Sequence, residues 1–324
     1  MVSGVATPLT TKHTSYDEWR PTTDRPMARP PAVLSIDFEC FTHLPAYRNA
    51  RGKTDQRDVG LDVVDSLLTL FEDHDAAATF FVVSEIAERH PERIVRIADT
   101  SHEIASHTHR HRHLSVLDER ERRDELATSR IVLEDTTGER VTGFRAPSFD
   151  TASDHFSMLA AAGYEYDASV APCQSIPGWY GGEHNVDRPC PATRLDPDAP
   201  AGIAELPVGV MPRLRLPLTG TWLRFFGPRY TILGMRLLAR RGIAPVLYVH
   251  PWELVDLPPV AGVPKRVYWH TGAWMRRALR RILEQPFEFV TARTVVEDAT
   301  AFDAKGGSRA GDTTASIDDG TGGR

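Results

Sequence analysis

Short apolar runs alternate with longer segments of helical apolar spacing, from about residue 31 to residue 291. The runs predict buried strands at 32–37, 77–84, 102–107, 143–147, 164–170, 205–210, 245–251 and 287–291. The longer segments predict helices at 61–74, 84–99, 115–137, 153–162, 229–241 and 272–284, with Ser115 as the expected cap of the third. Strands that alternate with helices favour a parallel sheet, and about seven repeats favour closure into an α/β barrel.

Both ends of the chain lack this pattern. Residues 1–30 are rich in Thr, Pro and charge, and residues 301–324 are rich in Gly, Ser, Thr and Asp. Neither segment can bury enough apolar surface to offset the entropy of ordering. We therefore expect two flexible tails around a single domain at 31–300. Within that domain, the Pro- and Gly-rich stretch 171–203 predicts a long loop over one face of the barrel.

Composition excludes several classes of protein. The chain has 324 residues, 41% of them hydrophobic, and a net charge of −6, so it has no basic footprint for nucleic acid. Its three cysteines (Cys40, Cys173 and Cys190) form no CxxC pair, which is typical of a reducing compartment. No apolar run is long enough to span a bilayer, and the first twenty residues contain no signal-peptide core. The expectation is a cytoplasmic protein without membrane insertion.

Ionisable residues stand where several predicted strands end. Catalytic groups of parallel α/β barrels lie at the carboxyl ends of the strands. Asp37 and Glu39 end the first strand, on one side of it because strand side chains alternate. The other strand-end groups are His107, Arg145, Asp167 and His250. In the stretch SHTHRHRH (106–113), two pairs have i, i+4 spacing and either could chelate an ion: His107 with His111, and His109 with His113.

Five segments, SIDFE, SHTHRH, RAPSF, YDAS and LYVHPWE, occur in this order between residues 35 and 253. Together they resemble the catalytic motifs of NodB-type polysaccharide deacetylases, carbohydrate esterase family four, in the branch with a D-x-D/E first motif and an HPWE ending. The resemblance covers roughly residues 31–295. It implies a distorted (β/α)7 barrel and one divalent metal ion, commonly zinc. It also implies hydrolysis of N-acetyl groups on an amino sugar, with an N-acetylated saccharide as substrate.

The resemblance assigns a role to each strand-end residue. Asp37 matches the catalytic base, Arg145 the residue that keeps the base charged, and His250 the general acid. Asp167 matches the acid that orients His250. The metal ligands it implies are Glu39, His107 and His111, which makes His109 and His113 flanking residues. Glu39 departs from the family, which usually has Asp there, and its side chain is longer by one methylene.

Two other functions stay open on the sequence. Relatives of this fold open cyclic amides without a metal, but they lose the H-x-x-x-H pair that this chain keeps. A catalytically inactive carbohydrate-binding protein would not need Asp37, Arg145 and His250 together. Surface or capping roles are expected for the histidines outside the motifs: His13, His43, His74, His90, His155, His184 and His270. The tryptophans Trp179, Trp222 and Trp269 are candidates either for stacking on sugar rings or for the core.

Overall fold

The structure, a computed structural model, describes residues 29–53, 58–175, 181–182 and 184–306, the last five of them as backbone only. Most of the two predicted tails lies outside the described residues, and so do His13 and Trp179. In the described part of the chain, no helix is long and apolar enough to cross a bilayer.

Within the described residues, nine strands form one sheet, and the helices are arranged around it. They are β1 (Pro31–Phe38), β2 (Thr79–Val82), β3 (Glu103–Ser106), β4 (Gly143–Phe144), β5 (Tyr166–Asp167), β6 (Cys190–Pro191), β7 (Ala204–Glu205), β8 (Val246–Val249) and β9 (Glu288–Val290). Their order is β6-β7-β5-β4-β3-β2-β1-β8, and β9 pairs with the first residues of β1. All pairs are parallel except that of β6 with β7.

The sheet closes through backbone hydrogen bonds that are too irregular to extend a strand. After β7, Leu206 N–H donates to the Asp167 carbonyl at 2.8 Å, and Gly209 N–H donates to the Val246 carbonyl at 2.9 Å. A Cβ at Gly209 would lie 2.6 Å from that carbonyl oxygen, so this close approach requires glycine. The chain after β7 therefore joins β5 to β8. The predicted (β/α)7 barrel is confirmed, in a distorted form.

Ten helices surround the sheet. They are α1 (Pro45–Arg48), α2 (Val64–Glu72), α3 (Ser84–Arg89), α4 (Pro91–Ala98), α5 (Glu119–Thr137), α6 (His155–Ala162), α7 (Gly220–Phe226), α8 (Pro228–Ala239), α9 (Ala273–Leu283) and α10 (Ala292–Gly306), as far as the described residues extend. The cap of α5 is Asp118 and not Ser115: its carboxylate accepts Glu121 N–H at 2.8 Å, and the Glu121 side chain accepts Asp118 N–H at 3.1 Å. This reciprocal pair satisfies two backbone donors that the helix itself cannot.

Among the described residues, four helices and strands were not predicted from the sequence: α1, α7, α10 and β6. The helix α7 has only seven residues, too few for a clear period. A short strand, β6, lies within the predicted loop 171–203. Helix α10 continues to Gly306, so residues 301–306 belong to a helix and not to the predicted tail.

The strand β1 shows how alternation divides the core into two layers. Its even-numbered side chains (32–38) pack in the layer between sheet and helices. Val33, on the other side, packs with Phe81 in the barrel interior. Ser35 and Asp37 follow on the same side as Val33, above this apolar floor, and both are buried. Truncation of the fully buried Phe81 to alanine would cost about 3–5 kcal/mol, and the floor would no longer support the polar residues above it.

Candidate metal and acid–base site

Three predicted ligands converge at the carboxyl end of the barrel. Glu39 follows β1, and His107 follows β3; both strands pair with β2, so their carboxyl ends flank the end of β2. One ligand atom each from Glu39, His107 and His111 lies within 4.8 Å of the other two, and all three residues are buried. His109 lies outside this cluster, with Nδ1 2.9 Å from Ser84 Oγ. Of the two histidine pairs with i, i+4 spacing, the structure therefore places His107 and His111 at this cluster.

The loop between the two histidines has a conformation that sequence spacing alone does not indicate. Thr108 and His111 have φ values of 65° and 53°, in the left-handed region. That region is unfavourable for a β-branched residue and costs about 1–3 kcal/mol where the fold imposes it. Thr108 Oγ1 accepts the His111 N–H at 3.0 Å, and Arg48 donates to the His111 carbonyl at 2.7 Å. Glu125 accepts the N–H of His109 at 3.0 Å. These hydrogen bonds hold the turn that brings His111 back beside His107.

His107 is held in the tautomer that a metal ligand needs. Its Nδ1 lies 2.7 Å from the Arg145 carbonyl oxygen, so Nδ1–H donates and Nε2 keeps its lone pair. Burial lowers the pKa of His107 to about 4, although the Asp37 carboxylate acts in the opposite direction. The imidazole is therefore neutral at neutral pH, and a neutral imidazole is the form that binds metal.

Glu39 has one satisfied oxygen and one unsatisfied oxygen. Its Oε1 accepts the indole N–H of Trp252 at 3.1 Å. Its Oε2 lies 2.6 Å from His111 Nε2, is buried, and accepts no hydrogen bond within the described chain. Burial acts to raise the pKa of Glu39, but the charges of His111 and His250 outweigh it and hold the pKa well below its usual range. A divalent cation between this carboxylate and the two imidazoles would satisfy the unpaired oxygen. One carboxylate and two histidines are also the ligand set of a catalytic zinc site with an open position.

The predicted base and its partner form a buried ion pair. Arg145 Nη1 lies 2.6 Å from Asp37 Oδ1 and also donates to Ser35 Oγ at 2.9 Å. Its Nε donates to the Ala168 carbonyl at 3.0 Å, and its guanidinium carbon lies 4.0 Å from the centre of the Phe81 ring. Arg145 is fully buried, so its charge is stable there only because Asp37 offsets it.

The predicted acid, His250, is oriented by a residue that the sequence analysis missed. Its Nδ1 lies 3.2 Å from Glu253 Oε2, and its ring stacks on Trp252 at 4.9 Å. Glu253 is in turn held by Arg224, whose Nε donates to Oε1 at 2.8 Å. Burial acts to lower the pKa of His250, but the carboxylates of Glu253 and Glu39 outweigh it, and the net shift is upward. The imidazolium form, which can donate a proton, is thereby favoured. The HPWE segment held the missed signal: a Glu three residues after His250 fits a capping box.

The expected contact between Asp167 and His250 was wrong. Asp167 Oδ2 lies 2.8 Å from His155 Nε2, and Oδ1 accepts from Ser169 Oγ at 2.5 Å. The physical reason is the irregular chain after β7, which lies between β5 and β8 and separates Asp167 from His250. Asp167 pairs in register with Glu205 across β5 and β7. Burial beside that carboxylate raises the pKa of Glu205 well above its usual value, so Glu205 carries the proton of this pair.

Two histidines outside the motifs, His43 and His155, are buried and not at the surface, although His43 does have a capping role because its Nδ1 accepts the Cys40 N–H at 3.0 Å. His43 stacks on His111 at 5.6 Å, and its Nε2 lies 2.8 Å from Glu85. His155 is the buried partner of Asp167. The other four histidines in the described chain have the expected capping or surface positions. His74 contacts the Leu70 carbonyl oxygen near the end of α2, and His90 immediately precedes α4. His184 is partly exposed and His270 is exposed.

Comparison with known proteins identifies two matched regions. Residues 57–166 match the family model described as "Polysaccharide deacetylase", and residues 168–297 match a domain of unknown function, DUF3473. The peptidoglycan deacetylase of Helicobacter pylori is 28% identical over 107 residues, which are 33% of this chain and 36% of that protein. The chain spans about a third of the length of the curated relatives it matches.

Two solved structures have a similar fold. A probable polysaccharide deacetylase from Pseudomonas aeruginosa PAO1 has a TM-score of 0.59 at 18% identity, over 83% of this chain and 90% of that one. PuuE allantoinase also has a TM-score of 0.59 at 18% identity, over 85% and 91% of the two chains. At this identity the likeness concerns the fold alone. Residues 57–166, about a third of the chain, are therefore similar to the polysaccharide deacetylase family.

Proposed function

We propose that the protein is a metal-dependent hydrolase that removes N-acetyl groups from an amino sugar in a glycan or a glycan precursor. One observation carries the proposal: Glu39, His107 and His111 converge in the same barrel end that holds Asp37 and His250. A divalent ion in this ligand set, most commonly zinc, would lower the pKa of a bound water and polarise the acetyl carbonyl.

The acid–base residues then have separate tasks. Asp37 accepts a proton from water as its oxygen attacks the acetyl carbon. Arg145, 2.6 Å away, fixes the position of that carboxylate. His250 donates its proton to the amide nitrogen as the C–N bond breaks, so that acetate and a free amine leave. Its position fits this task, because Nε2 lies 3.7 Å from Glu39 at the ligand cluster while Nδ1 is held by Glu253.

Asp167 has a different role in this proposal from the one that the family resemblance implies. It holds Ser169, whose hydroxyl accepts the Ala146 N–H at 2.8 Å. The neighbouring Ala168 carbonyl accepts from Arg145 at 3.0 Å. We therefore propose Asp167 as a positioning residue that acts through Arg145.

Acetate release from oligomers of N-acetylglucosamine, with and without metal, tests the proposed activity. The full chain is treated with a chelator and then supplemented with zinc. We expect release to be lost on chelation and restored by zinc. Hydrolysis of a cyclic amide such as allantoin by the chelated protein, with no acetate release under any condition, would instead favour the metal-independent reading. Binding of the oligomers without hydrolysis by the zinc-supplemented protein would favour an inactive carbohydrate-binding protein.

A further inference from the structure

Positive charge is concentrated in one part of the chain. Residues 206–283 contain thirteen Arg and Lys residues and only two acidic residues, Glu253 and Asp256, although the whole chain has a net charge of −6. Glu253 is buried with Arg224. The excess is therefore local and lies mainly on helices α8 and α9 and the loops beside them.

The basic side chains of α8 and α9 share an outer surface. On α8, Arg229, Arg236 and Arg240 are exposed and recur at helical spacing, so they form one stripe. On α9 the exposed arginines are Arg276, Arg277, Arg280 and Arg281. The two helices pack against each other, and Arg236 of α8 donates to Gln285 at 2.6 Å just after α9. We call these seven arginines the basic face.

The basic face lacks the acidic partners that other helices of this protein carry. On α5, Arg123 pairs with Glu119 at 2.7 Å and Arg120 lies 3.9 Å from Asp124. Within the described residues, none of the seven arginines of the basic face forms an ion pair. Their charge is available to a partner of opposite sign.

Large apolar side chains border the basic face. Three of them are more than half exposed: Phe226 52%, Leu233 52% and Trp269 57%. Leu233 lies within the arginine stripe of α8. Phe226 stacks on Trp222 at 5.5 Å, and Trp269 packs on Phe225 at 6.0 Å. We call these three exposed residues the apolar edge.

The apolar edge lies beside the proposed catalytic end. Arg224 connects them: it donates to the Trp269 carbonyl at 3.0 Å and to Glu253, which orients His250. A partner bound at this edge would therefore be close to the general acid.

We propose that the basic face and the apolar edge together bind an anionic lipid surface. Arginines attract lipid phosphates, and exposed Trp, Phe and Leu side chains insert among the headgroups, which is the composition of surface-bound amphipathic elements. Nucleic acid or a soluble acidic glycan would bind the arginines but would leave the exposed aliphatic side chain of Leu233 without a role. Binding to lipid does not depend on the proposed deacetylation. Taken together with the proposed function, it implies a substrate saccharide that is carried at a membrane surface, such as a lipid-linked saccharide.

Sedimentation of the full chain with lipid vesicles tests this inference without measuring activity. We expect binding to vesicles that contain phosphatidylglycerol and none to pure phosphatidylcholine, with release at high salt. The triple variant Arg229→Gln, Arg277→Gln, Arg280→Gln should bind about 100-fold more weakly, at about fivefold for each charge. The matched control Arg120→Gln, Arg123→Gln on α5 should bind as the parent does. Circular dichroism checks that every variant is folded.

The apolar edge needs its own variant. Phe226→Ser with Leu233→Ser should weaken vesicle binding while the salt dependence remains. Three results would overturn the proposal: no binding to anionic vesicles, equal loss in the α5 control, or binding unaffected by the apolar variant. The basic face would instead bind a soluble anionic polymer if the protein bound heparin or DNA more tightly than vesicles and the apolar variant left vesicle binding unaffected.

Discussion

The imidazole of His250 is held by Glu253, three residues further along the chain, through a contact of 3.2 Å between Nδ1 and Oε2. The proposed proton donor and its orienting carboxylate therefore belong to one short turn, whereas Asp167 on β5 serves a separate buried cluster. This arrangement makes the two carboxylates distinguishable by experiment.

Glu253→Gln should shift the alkaline limb of the pH–activity profile to lower pH. Glu253 raises the pKa of His250, and the reaction needs His250 protonated, so activity is lost as pH rises through that pKa. Without the carboxylate the loss begins earlier. Asp167→Asn is the matched control: we expect lower activity with the limb unmoved. If the alkaline limb shifted in Asp167→Asn and not in Glu253→Gln, Asp167 would be the residue that orients His250, as the family resemblance implies.

His107→Ala should lose both bound metal and acetate release, whereas His109→Ala should keep both. His107 directs a neutral nitrogen at the ligand cluster, while His109 bonds Ser84 outside it. Elemental analysis of the purified variants measures the ion directly. Equal metal loss in the two variants would contradict the ligand assignment.

Asp37→Asn should lower turnover by about 10² or more with metal retained, because the amide keeps the shape but cannot accept a proton. His250→Ala should have a similar effect. The measurement is single-substrate kinetics alongside metal content. Normal turnover with either variant would remove that residue from the mechanism.

Glu39→Asp should bind metal more weakly and be partly rescued by excess metal. The shorter side chain withdraws the carboxylate by about one C–C bond, more than the roughly 0.5 Å that a site tolerates. It also loses the Trp252 indole contact at 3.1 Å. Glu39→Gln should bind metal still less, because a neutral amide does not offset the charge of a cation. Full occupancy of Glu39→Gln in a metal titration would exclude Glu39 as a ligand.

Arg224→Gln should reduce the free energy of unfolding by about 3–5 kcal/mol, since it removes the arginine from a fully buried ion pair and leaves the Glu253 charge with only His250 beside it. Arg123→Gln, on the exposed surface of α5, should change it by under about 1 kcal/mol. Chemical denaturation compares the two variants. Similar small losses in both would show that the Arg224 pair is not needed for stability.

The same pair predicts a dependence of stability on pH. Burial acts to raise the pKa of Glu253, but Arg224 and His250 together outweigh it, and the pKa in the folded protein is lowered. A lowered carboxylate pKa contributes stability above the pKa of the unfolded chain, which is lost as pH falls through the folded value. The parent should therefore lose stability in acid more steeply than Arg224→Gln. Parallel acid titrations of both proteins would contradict this.

The sequence by itself determined the barrel and the choice of residues that we propose as metal ligands. Alternation of apolar runs with helical periods sets which faces are buried, and parallel strands bring their carboxyl ends together whatever the loops do. Because these carboxyl ends meet, the sequence was enough to place four residues at one end of the sheet: Asp37, Glu39, His107 and Arg145. The ordered motifs then distinguished His111 from His109 and His113, which periodicity alone could not do.

Only the tertiary structure decided which side chains support these residues. His43 and His155 have no motif, yet the fold places one against His111 and the other against Asp167. The irregular chain after β7 separates Asp167 from His250, and this depends on hydrogen bonds between segments some forty residues apart, such as that of Gly209 with Val246. Such contacts follow from packing of distant segments and leave no local period in the sequence. The same holds for the basic face, whose arginines are visible in the sequence but whose common surface depends on how α8 packs against α9.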